Sequence, residues 1–209
     1  MHSETPKSCN FDMLITTEAI VLNLQRHNDR SHILHTYTAS GGRMNFLVYG
    51  AGSKKKSAAI FAPLSIIEIT ADIRPDHPIQ TLKSANLKYQ LSTFNFQLST
   101  IKLFLSEMLY RILRHPMPDE TMYRFLARSI SVLDTATDVT DFHTEFLAGF
   151  AAQLGFAISE EEHPELLRTP VTRADRQLLL RQLCDYYAEH IDDFHYPLSL
   201  DVLMEVFDT

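Results

Sequence analysis

The sequence predicts an α+β chain: a small five-stranded β-barrel followed by an all-α helical bundle. Three observations predict it. Short runs rich in β-branched and aromatic residues, bounded by turn residues, fill the stretch from Met13 to Lys88. At about Ser92 the apolar period changes from two to 3.6. The charge balance reverses close to the same place. From Met13 to Lys88 nine Lys/Arg oppose five acids, a net of +4, whereas Tyr89 to Thr209 carries nine against nineteen, a net of −10. A basic half joined to an acidic half points to a separate partner for each. Residues 1–12 are polar and unpatterned and read as a flexible tail. The organisation is therefore a tail over 1–12, a barrel over 13–88 and a helical domain over 89–209.

The first strand spans Leu14 to Leu24, where Ile15, Thr16, Thr17, Ile20, Val21 and Leu22 give a strong β signature. His27-Asn28-Asp29-Arg30 is turn chemistry, and Ser31 to Thr38 is again β-rich. Ser40-Gly41-Gly42-Arg43 reads as a hairpin turn. In the next strand Met44, Phe46 and Val48 share one face, and Asn45, Leu47 and Tyr49 the other. Ile67, Ile69, Ala71 and Ile73 then alternate with Glu68, Thr70 and Asp72. Arg74 to Pro78 breaks the chain, and Ile79 to Lys88 forms a fifth strand. Five short strands in about 75 residues fit the five-stranded OB-fold, and an SH3-like barrel fits the pattern nearly as well.

In the second half Leu98, Ile101, Leu105, Met108 and Ile112 recur at helical spacing. Pro116 and Pro118 stop that helix and introduce another, with Met122, Phe125, Leu126, Ile130 and Leu133 on its buried face. Asp141 is placed to cap a third, and Gly155 to follow its C-terminus. Ser159 to Pro170 is an acidic loop. Thr172 and Asp175 make a capping box with Asp in place of the usual Glu, and the helix after it carries Leu179, Leu183, Tyr186 and His190. Ser199 is placed to cap a last short helix.

The residues from Tyr49 to Ser57 carry the chemistry of the basic half. Lys54, Lys55 and Lys56 stand in a row on a chain made pliable by Gly50 and Gly52. Strands beside a cationic loop supply what a single-stranded nucleic-acid groove needs. Lysines that neutralise phosphates release counterions, which sets both affinity and salt dependence. Arg30 and Arg43, on neighbouring turns, together with Lys83 and Lys88, extend the expected cationic rim. Tyr49 is the candidate stacking platform. Phe46, on the Met44/Val48 face, is expected in the core. The competing reading of the lysine loop is a solvated surface loop, and that of the barrel is a protein adaptor that touches no nucleic acid.

Most carboxylates of the acidic half read as solvated helix faces. Arg124 and Arg128 stand apart, because they flank Phe125 one turn apart. An apolar notch beside two arginines suits an acidic tail ending in a hydrophobic residue. The plainer alternative is an i,i+4 pair between Glu120 and Arg124. No phosphate-binding loop, nucleophile elbow or HExxH pattern occurs, so no catalysis is expected. Two cysteines, Cys9 and Cys184, supply neither a disulfide framework nor a four-thiolate site, and Cys184 reads as a small buried hydrophobe. No apolar run approaches a membrane span, and a cytoplasmic setting with no membrane partner is expected.

Several short segments resemble the bacterial RecO family. They are Thr17-Glu-Ala-Ile-Val-Leu22, Asp29-Arg30-Ser31, the Ser40 to Arg43 turn, Val48-Tyr-Gly-Ala-Gly-Ser-Lys54 and Ala62-Pro-Leu-Ser-Ile-Ile-Glu68. Leu154-Gly155-Phe156 and Ser199-Leu-Asp-Val-Leu203 continue the series in the same order. The resemblance implies an N-terminal OB-fold that binds single- and double-stranded DNA, strand annealing, and a C-terminal helical bundle. It implies partnership with RecR and with the C-terminal tail of the single-stranded-DNA-binding protein, in a nucleoid-associated, cytoplasmic protein of DNA repair and recombination. Many RecO proteins carry four cysteines in CxxC pairs after the Leu-Gly-Phe segment, where they bind structural zinc. Here Ile158 to His163 contains none, so no zinc and no cofactor are expected.

Overall fold

The computed structural model describes residues 13–50, 59–74, 76–91 and 96–206. Five strands come first: β1 (Met13–Arg26), β2 (Ser31–Thr38), β3 (Gly42–Tyr49), β4 (Ile66–Ile73) and β5 (Gln80–Tyr89). They close into a barrel in the order β1-β2-β3-β5-β4. β1 makes closure possible by changing partners along its length. Its first part pairs with β4 from Met13 to Ile20, and its second with β2 from Ala19 to Arg26. The last seam is a short parallel pairing of Phe46 and Leu47 with Gln80 and Thr81. This five-stranded closure is that of an OB-fold.

Two cores explain why β1 shows no clean alternation. Ala19, Ile20, Val21 and Leu22 are all at most 1% exposed, so both faces of the strand are covered. Ala19 and Val21 point into the barrel with Leu34, Phe46, Val48, Ile67 and Ile69. Ile20 and Leu22 point outward and join Tyr37 in the core formed by the helices. Phe46 is fully buried, as its face predicts. A bulge between Val21 and Asn23 displaces Leu22 from the ladder with β2, and the Leu22 carbonyl accepts instead from Ser106 Oγ at 2.8 Å. The bulge thus ties barrel to bundle.

The helices are α1 (Phe96–Ile112), α2 (Glu120–Thr135), α3 (Phe142–Gln153), α4 (Arg173–His190) and α5 (Leu200–Val206), with one 3-10 turn over Pro164–Leu166. α1 buries Leu98, Ile101, Phe104, Leu105, Met108, Leu109 and Ile112, the stripe its spacing predicts. Asp119 caps α2, its side chain accepting from Met122 N at 2.9 Å. The box before α4 is complete: Thr172 N donates to Asp175 Oδ2 at 3.0 Å, and Asp175 N to Thr172 Oγ1 at 3.2 Å. Gly155 follows α3 with φ +92, a conformation that favours glycine. Cys184 is buried in α4, and burial pushes its thiol up to about 12.

Two expected caps do other work. Asp141 precedes α3, but its carboxylate accepts from Arg176 Nε of α4 at 2.7 Å and makes no cap bond. Ser199 precedes α5, yet its hydroxyl donates to Glu107 Oε2 of α1 at 2.7 Å. At Asp141 a cation on another helix takes the place of a local backbone N–H, because charge-assisted bonds are the stronger, and at Ser199 the hydroxyl proton goes to a carboxylate of another helix.

Candidate nucleic-acid interface

One end of the barrel is formed by the β1–β2 turn and the end of β3. Asn28 shapes the turn: its Oδ1 accepts from the backbone N–H of Arg30 and of Ser31, each at 2.9 Å. Arg26 pairs with Asp29 across the same turn, both largely exposed. Ser31 lies opposite Tyr49, and Gly50 N donates to the Arg30 carbonyl at 3.2 Å. Gly50 has φ +69, so the backbone turns there as it leaves β3. Arg30 and Tyr49 are therefore neighbours on one rim, and Tyr49 is 71% exposed with its ring in solvent. Lys54, Lys55 and Lys56 follow directly but lie outside the described residues.

Lys83 and Lys88 are on β5. From the parallel seam β3 and β5 run in the same direction, the one toward Tyr49 and the other toward Lys83. Both lysines meet carboxylates of β4: Lys83 Nζ is 2.6 Å from Asp72 Oδ2, and Lys88 Nζ is 3.2 Å from Glu68 Oε2. Both lysines are about half exposed, so solvent weakens each pairing. Lys88 lies at the far end of β5, beside the Ile66–Tyr89 pairing.

Arg43 is placed elsewhere. It starts β3 at the opposite end from Tyr49 and reaches into the junction with α1. Its Nη1 donates to the carbonyls of Tyr110 and Leu113, both at 3.3 Å, and its Nε to Asn45 Oδ1 at 3.3 Å. The guanidinium sits 4.6 Å from the centre of the Tyr110 ring, and Arg43 N donates to the His115 carbonyl at 3.3 Å. Burial lowers its pKa, opposed by Tyr110. Arg43 thus supplies a cation where the last carbonyls of α1 lack partners. His35 completes the junction, with its ring edge-on to Tyr110 at 5.0 Å and Nδ1 2.7 Å from Asn45 Oδ1. Burial lowers the His35 pKa, against the hydrogen bond that it donates to Asn45. Gly42 lets the junction close: a Cβ there would lie 2.1 Å from the Met117 carbonyl oxygen.

Sequence reasoning found neither Tyr110 nor Glu107. Glu107 accepts from Arg111, from Leu198 N at 2.9 Å, and from Ser199 N and Oγ. Burial works to raise its pKa, but these bonds prevail and lower it. The Glu107–Arg111 spacing of four was legible, while the bonds to Leu198 and Ser199, across 91 and 92 residues, were not.

Arg124 and Arg128 lie one turn apart on the exposed side of α2. Arg124 Nε is 3.7 Å from Glu120 Oε1, a loose pair that is mostly exposed. Arg128 borders a notch of about 350 Å³ between α2 and α3, with Phe125, Val132, Phe142 and Phe146 as its apolar walls. The Phe125 and Phe146 rings are 5.5 Å apart, and those of Phe142 and Phe146 6.4 Å. Among the described residues no three His, Cys, Asp or Glu side chains group to hold a metal ion, and no helix is long and apolar enough to cross a membrane.

Comparison with known proteins adds a lineage to this geometry. The family described as "Recombination protein O N terminal" matches residues 13–91, which span all five strands. The DNA repair protein RecO of Flavobacterium johnsoniae is 30% identical over 236 residues, covering 93% of this chain and 100% of that protein. Its counterpart in Phocaeicola vulgatus is 31% identical over 240 residues, with 93% and 100% covered. A solved structure of Entamoeba histolytica asparaginyl-tRNA synthetase aligns with 89% of this chain and 36% of its own. At 12% identity and a TM-score of 0.33, that likeness bears on neither fold nor function. Matched along the barrel by the family and over 93% of its length by relatives about 30% identical, the chain belongs to the RecO family of DNA repair proteins.

Proposed function

We propose that this chain is a mediator of DNA repair and homologous recombination. Its barrel binds single-stranded DNA, and double-stranded DNA as well, and helps complementary strands anneal. The phosphate track begins at Arg30, continues through Lys54, Lys55 and Lys56, and is extended by Lys83 and Lys88. Tyr49 offers its ring to a base, since every base has a π-face. Neutralising two strands on one surface lowers their mutual repulsion, which is a physical route to annealing. Arg43 is left out of the track because its donors serve α1. The observation that carries the reading is the meeting of Arg30 and the exposed Tyr49 where the lysine loop leaves β3.

The helical part recruits partners, RecR among them, so that recombinase is loaded onto coated strands. Its α2–α3 notch takes the acidic C-terminal tail of the single-stranded-DNA-binding protein, with Arg124 and Arg128 facing the tail's carboxylates. The work is binding and needs neither covalent chemistry nor a cofactor, in the cytoplasm and at the nucleoid.

The test is Lys54→Glu/Lys55→Glu/Lys56→Glu in the full chain, read by fluorescence anisotropy with labelled single strands at several salt concentrations. Binding weakens for all sequences, and the slope of log affinity against log salt falls by about 2, the loss of three single-strand phosphate contacts. A triple mutant that binds as the wild type does removes the loop from the track.

A further inference from the structure

The turn between β1 and β2 puts nearly all its polar groups to use. Asn28 Oδ1 accepts from the backbone N–H of Arg30 and of Ser31. The Ser31 carbonyl accepts from His27 N at 3.0 Å and from Asn28 N at 3.1 Å, and the Arg30 carbonyl takes the Gly50 N–H. The Ser31 hydroxyl is the exception. Ser31 is 1% exposed, yet its Oγ has no hydrogen-bond partner among the described residues. A buried hydroxyl left unpaired is destabilising, so it calls for a partner that the free protein lacks.

The strand register shows where that partner enters. Successive side chains of a strand point to opposite faces. Leu34 packs inside the barrel, so Ser31 points outward, and Tyr49 stands directly across the ladder from it on the same face. Side chains so paired have Cβ atoms about 5 Å apart. His32 Nδ1 is also buried and unpartnered among the described residues, but alternation sends it to the inner face with Leu34 and Val48, away from Tyr49.

We propose that the Ser31 hydroxyl bonds the polar edge of the base that stacks on Tyr49. Seating the base turns the Tyr49 side chain aside and gives the hydroxyl the partner it lacks. A serine hydroxyl both donates and accepts, and every base carries donors or acceptors on its edge, so the contact serves any sequence. It adds no charge, and it therefore strengthens binding without altering the salt dependence. The inference rests on the reading of the Arg30–Tyr49 rim as a strand-binding surface.

The experiment titrates the full chain, by fluorescence anisotropy, with a labelled single strand of thymidines and with a strand of equal length in which abasic residues replace the bases. Ser31→Ala weakens binding of the thymidine strand about fivefold, the loss of one hydrogen bond. The slope of log affinity against log salt stays at the wild-type value. On the abasic strand Ser31→Ala binds as the wild type does, whereas a merely structural role would weaken both strands alike. Tyr49→Leu weakens the thymidine strand about tenfold and makes the further change Ser31→Ala nearly silent. The free Ser31→Ala variant melts at or slightly above the wild-type temperature, since the lost hydroxyl had no partner. A melt lowered by several degrees shows that the hydroxyl serves the fold and overturns the proposal. Unchanged binding of the thymidine strand by Ser31→Ala, or an equal loss on the abasic strand, overturns the base contact and leaves the rim standing. A wild-type chain that binds neither strand overturns both.

Discussion

Arg43→Ala separates two roles, the cation for phosphates that the sequence suggests and the tie between barrel and helices that the structure shows. The structure allows its cost to be worked through. Truncation removes two charge-assisted bonds from Nη1 to the carbonyls of Tyr110 and Leu113, each at 3.3 Å. At that length the lower end of the range applies, about 1.5 kcal/mol each. The contact with the Tyr110 ring adds about 1 kcal/mol. Relief of the desolvation of Arg43 returns about 1 kcal/mol, leaving a loss of about 3 kcal/mol. With a urea slope of about 2 kcal/mol/M for a chain of this size, the midpoint falls by about 1.5 M. At 2–4 °C per kcal/mol, Tm falls by about 6–12 °C. The assay is urea unfolding followed by circular dichroism and by tyrosine fluorescence, with coincident curves as the check that one transition is observed. Oligonucleotide binding by the folded variant keeps the wild-type salt slope. Unchanged stability with a salt slope lowered by about 1 would refute the reasoning, since it would put Arg43 on the phosphate track.

Two further perturbations test the same junction and the bundle core. Gly42→Ala places a methyl against the Met117 carbonyl at a residue with φ +64, and the expected destabilisation is about 2–4 kcal/mol by the same urea assay. Burial holds the His143 pKa at about 4, below its usual 6.5. The unfolded chain therefore binds more protons than the folded one between these values, and stability falls as pH drops from about 6.5 to 4, by at most about 3 kcal/mol for this group. His143→Gln flattens that part of the stability–pH profile, and an unaltered profile contradicts the assignment.

Elements and their limits are well legible because they rest on near neighbours. The lone valleys of period two in β3 and β4, the 3.6-residue stripe of α1, the Thr172–Asp175 box and Gly155 after α3 all depend on residues within one turn or one strand step. The site was legible in part. Arg30 and Tyr49 adjoin because β2 and β3 form a hairpin, and hairpin register follows from its short turn. Arg128 and Phe125 share a helix and border one notch, whereas Arg124, one turn away, lies outside its lining and pairs loosely with Glu120. The structure sets Arg43 in the junction with α1 and not on the rim, and nothing near it in the chain announces the carbonyls it meets 67 and 70 residues later.

By itself the sequence determined the barrel, the bundle, the order of their elements and the uneven charge between them, since each is written in local periodicity and composition. Only the tertiary structure decided which polar groups serve the fold and which stay free. Asp141, Ser199 and Arg43 each suit a local task, and each is taken by a partner from a distant element. Local spacing offers a polar side chain its near neighbours only, and long-range packing brings up the ionised or multiple partners that it takes instead.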